Sequence, residues 1–235
     1  MKRLFLLGGA ILTFSFVMAQ KPAATKTMEN LDLKDMIDSF SYAVGLNVAH
    51  SIRDQGADAI NIDLVKKGFE DVFISGNPEL SQEQAMNIIQ GHMQKLASEK
   101  LVVEKKKGTD FLAKNAKRAG VKTLPNGLQY EVIASGDPNG VKPKPENIVN
   151  VDYVGTLIDG TEFDSSIKRG EAAEFPLNGV IKGWTEILQL MTKGDKWKVY
   201  IPSDLAYGDR GAGQSIPGGA TLIFEITLHD IKPGK

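Results

Sequence analysis

Apolar positions change their spacing near the middle of the chain, and the change divides it into two parts. In the first part they recur every three to four residues, which predicts amphipathic α-helices. One helix is predicted between residues 35 and 56, with an apolar stripe of Ile37, Phe40, Val44 and Val48. A second helix, which Asn61 caps and Gly76 ends, carries a stripe of Val65, Phe69, Val72 and Phe73.

A third and much longer helix is predicted from Ser81, because Ser81 and Gln84 have capping-box spacing and no proline follows until Pro125. If it is continuous, it has about 38 residues and a length of roughly 57 Å. Gly91 and Gly108 leave a bend open, since each glycine costs about 1 kcal/mol in a helix interior. Two short helices cannot cover its apolar first part, so we expect a second copy of the chain to do so.

From Lys122 onward the apolar positions alternate and turn residues become frequent, as is typical of antiparallel strands with one buried face and one wet face. Asn126-Gly127 and Asp159-Gly160 indicate hairpin turns. The segment GWTEILQLM is long enough for one short helix that covers the apolar face. The predicted fold class is α+β. A helical dimerisation domain with a long connecting helix spans residues 34–118, and an antiparallel sheet wrapped around a short helix spans residues 119–235.

The N-terminal segment resembles a secretory signal, because Lys2 and Arg3 precede an apolar run that ends in Val17-x-Ala19. The alternative is an uncleaved membrane anchor, but about 14 apolar residues are fewer than the roughly 20 that span a bilayer. We expect residues 1–19 to be a signal peptide and residues 20–33 a flexible leader, which leaves a mature chain without a membrane span. The chain has no cysteine, so neither a disulfide nor a lipid-modified cysteine is predicted.

The charge balance excludes nucleic acid as a predicted partner. With 28 basic against 29 acidic residues, the chain has no overall field that would hold nucleic acid. The basic run EKKKGTDFLAKNAKR is interpreted as a solvated helix face rather than an anion-binding patch, because acidic residues interleave with it. The three histidines lack the spacing of metal ligands, so neither a metal site nor a cofactor is predicted.

The segment GDRGAGQS, residues 208–215, has the glycine spacing of a phosphate-binding loop but carries Gln214 where that loop needs lysine. Such a loop must follow a buried strand and open a helix. Here SDLAY precedes it, and Pro217 with two glycines follows, which prevents a helix at that point. We therefore predict a turn-rich loop that carries Tyr207 and Ile216 across one end of the sheet.

Four segments of the second part resemble the FKBP family of peptidyl-prolyl cis-trans isomerases in order and spacing: VDYVGTLIDGTEFDSS, GVIKGWTEIL, IPSDLAYG and IPGGATLIFEITL. The helical part before them is similar to that of the exported dimeric subfamily of FkpA and the macrophage infectivity potentiators. The resemblance implies an FKBP-like sheet and isomerisation of X-Pro bonds that assists the folding of exported proteins. It also implies a location in the periplasm, either free or associated with the outer membrane.

An apolar substrate pocket follows from the same resemblance. It gives catalytic roles to Asp164 and to Tyr207, whose hydroxyl would donate a hydrogen bond to a substrate carbonyl, and it makes Trp184 the floor. The other substrate-binding positions are Tyr153, Phe163, Phe175, Val180, Ile181, Ile216 and Phe224. The smallest family members carry a second aromatic residue where this chain has Ala173, so we expect one wall of the pocket to be more open.

The partners that the resemblance implies are unfolded or proline-containing polypeptides, macrolide inhibitors of the FKBP type, and a second copy of the chain bound through the helical domain. The alternative function is a noncatalytic peptide-binding chaperone that keeps the pocket only as a cleft. The tyrosine, aspartate and tryptophan positions are all filled, which favours catalysis.

Overall fold

The computed structural model describes residues 35–57 and 59–234, so the predicted signal peptide and leader lie outside the described residues. The chain divides into two units between Ser51 and Ile52. Helix α1, Met36–Asp54, begins in the first unit and ends in the second. In the part of the chain that is described, no helix is long and apolar enough to cross a membrane.

Helix α2, Ile62–Glu70, begins as predicted at Asn61, whose side chain accepts a backbone hydrogen bond from the first turn at 3.2 Å. It continues as one π-helical turn, Asp71–Ser75, and stops at Gly76, which has the left-handed conformation that ends helices. Neither α1 nor α2 contains a buried residue. In a single chain most residues of the two apolar stripes are exposed, and Val44 and Val65 are half-buried.

Helix α3, Gln82–Asn115, is one element of 34 residues that runs through both Gly91 and Gly108. The predicted capping box is present. The Ser81 hydroxyl accepts a hydrogen bond from the Gln84 backbone N–H at 3.2 Å, and the Gln84 side chain accepts one from the Ser81 N–H at 2.8 Å. The predicted helix is therefore not interrupted at either glycine.

Within the described residues, seven antiparallel strands form a single sheet, in the order β1-β2-β6-β7-β3-β4, with β5 paired to β3. The strands are β1 Val121–Thr123, β2 Gln129–Ala134, β3 Ile148–Leu157, β4 Glu162–Ser165, β5 Ala173–Pro176, β6 Lys196–Ile201 and β7 Leu222–Lys232. Two short helices, α4 Ser166–Arg169 and α5 Lys182–Leu188, lie between β4 and β6 in the chain. The predicted sheet with a short helix is confirmed.

The alternating pattern selects which face of the sheet is buried. Along β3, Val149 and Val151 are fully buried, whereas Asn150 between them is half-buried. Ile187 and Leu188 of α5 are also fully buried in the same core as the inward residues of β3, β6 and β7. Burial of these side chains drives α5 onto the sheet, since each stabilises the fold by about 1.5–3 kcal/mol.

The opposite face is not wholly exposed to water as the sequence suggested, because α3 covers part of it. Tyr200 of β6 lies between two inward-facing neighbours, yet it is also buried. Its ring centroid is 6.0 Å from that of Phe111 of α3, and its hydroxyl accepts a hydrogen bond from Arg118 at 2.8 Å. The end of α3 is thus attached to the outer face of the sheet.

Candidate active site

Residues of β3, β4, β5, β7 and α5, of the segment between β5 and α5, and of the loop after β6 line a cavity of about 430 Å³. Nine of the ten residues predicted from the sequence are in its lining, and the structure adds Gly179. Ile216 is the predicted residue outside the lining. It is buried in the core nearby, and its backbone pairs with that of Ala212. The volume is in the range of sites for small ligands or short peptide segments.

The floor of the cavity is a cluster of aromatic rings around Trp184, which is 4% exposed. Tyr153, Phe175 and Phe224 each meet the indole edge-to-face, with centroid distances of 5.1, 5.8 and 5.2 Å. Edge-to-face pairs contribute about 0.5–1.5 kcal/mol each beyond the area they bury. These contacts hold the floor in one arrangement before any substrate binds.

A charged wall is formed by Tyr153 and Asp164, which line the cavity, together with Arg169, which contacts both from outside the lining. The Tyr153 hydroxyl donates a hydrogen bond to Asp164 at 2.5 Å, and the Arg169 guanidinium pairs with the same carboxylate. Arg169 also donates to the Tyr153 hydroxyl at 2.8 Å and lies 5.4 Å from the ring centroid. The carboxylate therefore already accepts two donors, which suits a fixed negative charge better than a proton acceptor.

Arg169 is the member of this charged wall that was not predicted from the sequence. It is brought back to Asp164 by α4, a single helical turn in which the Ser165 hydroxyl caps the backbone N–H of Lys168 at 3.2 Å. Gly170 ends that turn in the left-handed conformation. The sequence does carry a local signal for this turn, because Ser165 can begin a helix and Gly170 can end one. A single helical turn between them returns the chain toward Asp164.

The protonation state of the wall follows from these contacts. Burial acts to raise the pKa of Asp164, but hydrogen bonds from Tyr153 and Arg169 outweigh it, so the pKa is below its ordinary value. The pKa of the Tyr153 hydroxyl is raised, mainly because the phenol is buried and secondly because it donates a hydrogen bond to Asp164. At neutral pH the wall thus holds a carboxylate, a neutral phenol and a guanidinium.

Tyr207 lies at the rim of the cavity, between the 3-10 turns Ser203–Leu205 and Gly208–Arg210. It is 42% exposed, and its hydroxyl has no hydrogen-bond partner among the described residues. The segment after it contains the second 3-10 turn and the bridge between Ala212 and Ile216, and no helix begins there. This agrees with the exclusion of a phosphate-binding loop.

Ala173 lies in β5 opposite Val151 and is partly buried against the core. It is two residues before Phe175 and therefore on the same side of the strand. Ala173 is not in the lining of the cavity. The more open wall stays a prediction.

An antiparallel sheet around a short helix, with an aromatic cavity and a free tyrosine at its rim, defines an FKBP-type domain. The family model described as "FKBP-type peptidyl-prolyl cis-trans isomerase" matches residues 139–229. A second model, "Domain amino terminal to FKBP-type peptidyl-prolyl isomerase", matches residues 37–132.

Individual relatives extend the similarity to most of the chain. FkpA of Aeromonas hydrophila is 42% identical over 91% of this chain and 82% of its own. Outer membrane protein MIP of Legionella longbeachae is 39% identical over 94% of both. The crystal structure of FkpA from Escherichia coli superposes with a TM-score of 0.69 at 35% identity, covering 86% of this chain and 100% of that one. The chain belongs to the FKBP-type peptidyl-prolyl cis-trans isomerases, and it is an enzyme of that activity.

Proposed function

We propose that the cavity binds an X-Pro segment with the proline ring against Trp184 and the preceding carbonyl within reach of the Tyr207 hydroxyl. The observation that carries this assignment is the pairing of a preformed aromatic floor with a rim tyrosine whose hydroxyl bonds to no described residue. Client proteins would present such segments while still unfolded.

The chemistry needs no nucleophile, because only rotation about the C–N bond is required. Resonance sets that barrier at about 18–20 kcal/mol and makes X-Pro switching take tens to hundreds of seconds. The planar amide is more charge-separated than the twisted one, so an apolar cavity disfavours the ground state relative to the transition state. Lowering the barrier by about 5–8 kcal/mol would convert minutes into milliseconds.

Within this scheme the two polar residues have different tasks. Tyr207 donates to the substrate carbonyl and orients it, which reduces the entropy lost on reaching the twisted state. Asp164 stays ionised and fixes the phenol of Tyr153, so that the wall presents an unchanging field to the rotating amide. Arg169 neutralises part of the Asp164 charge and locks its orientation.

The test is isomerisation of short X-Pro peptides by Tyr207→Phe, with Tyr130→Phe as the matched control. Tyr130 stacks on Trp197 at 4.6 Å and is not part of the cavity lining. A neutral hydrogen bond contributes about 0.5–1.5 kcal/mol, so Tyr207→Phe should lower kcat/KM about 2- to 12-fold. Tyr130→Phe should leave it unchanged. Equal activity of the two variants would remove Tyr207 from the mechanism.

The helical region, residues 34–118 in the proposed division, is assigned to homodimer formation. Support comes from large apolar side chains on α1, α2, α3 and the π-helical turn after α2, which a single chain leaves exposed. Phe73 of that turn is 79% exposed. Exposed apolar surface of this kind is typical of a subunit interface. Residues 119–235 form the isomerase domain in this division.

The signal-like N-terminus supports export to the periplasm, where newly translocated chains fold. A dimer would offer two cavities to one unfolded client, and the second contact would gain from effective concentration. Proline isomerisation limits the folding of many chains, so assistance at that step is the proposed biological role.

A further inference from the structure

The C-terminal part of α3 is joined to the isomerase sheet by buried polar contacts. The Asn115 side chain donates to the Gln129 side-chain oxygen at 2.9 Å, and the Gln129 amide donates to the backbone carbonyl of Leu112 at 3.0 Å. Both Asn115 and Gln129 are buried. Buried polar groups that satisfy one another in this way hold two elements in a fixed relation.

Farther toward its N-terminus, the same helix contacts the loop that follows Tyr207. The Lys105 ammonium lies 2.6 Å from a carboxylate oxygen of Asp209, two residues after the tyrosine. A Cβ placed on Gly219 would lie 2.9 Å from Leu101 and equally close to Lys105, so the helix packs directly on that backbone. Gly219 in turn donates a hydrogen bond to the carbonyl of Gly208, the residue beside Tyr207, at 2.9 Å.

Gly108 shows how closely helix and loop approach. A Cβ on Gly108 would lie 2.3 Å from Thr221 Oγ1 and 3.2 Å from Thr221 Cβ. Thr221 is buried and precedes β7, which carries the cavity residue Phe224. Its short β-branched side chain has little freedom to move away, so any side chain at position 108 must displace either the helix or the loop.

We propose that α3 is a positioning element for the active-site loop, with Lys105 and Gly108 as positioning residues that act through Tyr207. This loop joins β6 to β7. Lys105 holds its first part through the ion pair with Asp209, and Gly108 allows α3 to pack against its last residue, Thr221. This inference rests on the role proposed above for Tyr207. It implies that residues 101–118 of the predicted helical domain also serve the isomerase domain.

The first test compares Gly108→Ala with Gly91→Ala in the full mature chain. Both changes replace a glycine inside α3, but a Cβ on Gly91 meets nothing within 4 Å. Displacement by 1 Å at a reacting group can cost about 100-fold. We expect Gly108→Ala to lower kcat/KM for a short X-Pro peptide about tenfold and Gly91→Ala to change it less than about twofold. Adding Thr221→Ala to Gly108→Ala should restore most of the loss, because it removes the nearest atom.

The second test uses the ion pair, and it stays decisive if Gly108→Ala fails to fold. Lys105→Met is compared with Lys106→Met, whose ammonium pairs with Asp110 inside the helix. Since exposed ion pairs contribute little, the expected loss is about two- to fivefold for Lys105→Met. Lys106→Met should have the kcat/KM of the parent chain, and Lys105→Arg, which keeps the positive charge, should also retain it.

A double-mutant cycle with Tyr207→Phe separates positioning from general destabilisation. If α3 acts through the tyrosine, Gly108→Ala or Lys105→Met should cost little more once the hydroxyl is gone. Losses that multiply independently, or a Gly108→Ala variant as active as Gly91→Ala, would overturn the inference while leaving Tyr207 in its proposed role. An unaffected Tyr207→Phe single variant would instead refute that role, and the inference with it.

Discussion

The floor of the cavity allows a sharp separation of stability from activity, because the chain has two tryptophans and both are buried. Trp184 is 4% exposed and Trp197 is 7% exposed, and neither indole N–H has a hydrogen-bond partner in the described residues. Trp184 lines the cavity, whereas Trp197 stacks on Tyr130 outside it. Truncating either to alanine removes a comparable volume and no hydrogen bond.

We predict that Trp184→Ala and Trp197→Ala each lower the free energy of unfolding by about 3–5 kcal/mol. For a chain of this size that corresponds to a fall in Tm of roughly 6–20 °C. At a temperature where both variants are folded, Trp184→Ala should lose at least about tenfold in kcat/KM, since the proline ring has lost its surface. Trp197→Ala should stay within about twofold of the parent chain.

The assay is peptide isomerisation at low temperature, with circular dichroism to establish that both variants are folded. Equal losses of activity at positions 184 and 197 would mean that the cavity is sensitive only to general stability, and the assignment of Trp184 as the floor would be refuted.

Two further predictions concern the helical region and the charged wall. Phe73→Glu should convert the mature chain from dimer to monomer in sedimentation. It should also weaken the help given to a proline-limited refolding protein, while short-peptide isomerisation is unchanged. The control is Val141→Glu, also at an exposed apolar residue (75%), which should change neither the sedimentation nor the refolding activity. Folding lowers the pKa of Asp164 from 3.8, so the ionised carboxylate stabilises the folded chain. This stabilisation is complete above pH 3.8 and is lost as the pH falls through the lower pKa of the folded state. Asp164→Asn should therefore flatten the fall in Tm of the parent chain below about pH 4, and an unchanged slope would contradict the shift.

The elements that could be predicted from sequence are those specified by local chemistry. Ser81 and Gln84 lie three residues apart and cap each other, so their signal is contained in one short segment. The alternation of apolar and polar residues along β3 similarly predicts which face is buried, because it does not depend on which strands pair with β3. Gly160 has a positive φ of 89° in the predicted hairpin turn, where glycine is favoured.

The features that could not be predicted depend on residues far apart in the chain. Gly108 looked like a cost to helix continuity, but the structure places it against Thr221, and no local pattern connects the two. Tyr200 looked exposed by alternation, and it is buried because Phe111 of α3 covers it. Arg169 joins the wall through a one-turn helix too short to have a periodic signal.

The central claim, that Asp164 and Tyr207 make this cavity catalytic, is tested most directly by NMR exchange spectroscopy on a short X-Pro peptide without a coupling protease. The parent chain should speed cis-trans exchange from the spontaneous time of tens to hundreds of seconds into the subsecond range. A folded variant carrying both Asp164→Ala and Tyr207→Phe should be slower than the parent chain by at least the roughly 2- to 12-fold expected of Tyr207→Phe alone. Exchange that is equally fast in the double variant would contradict the account.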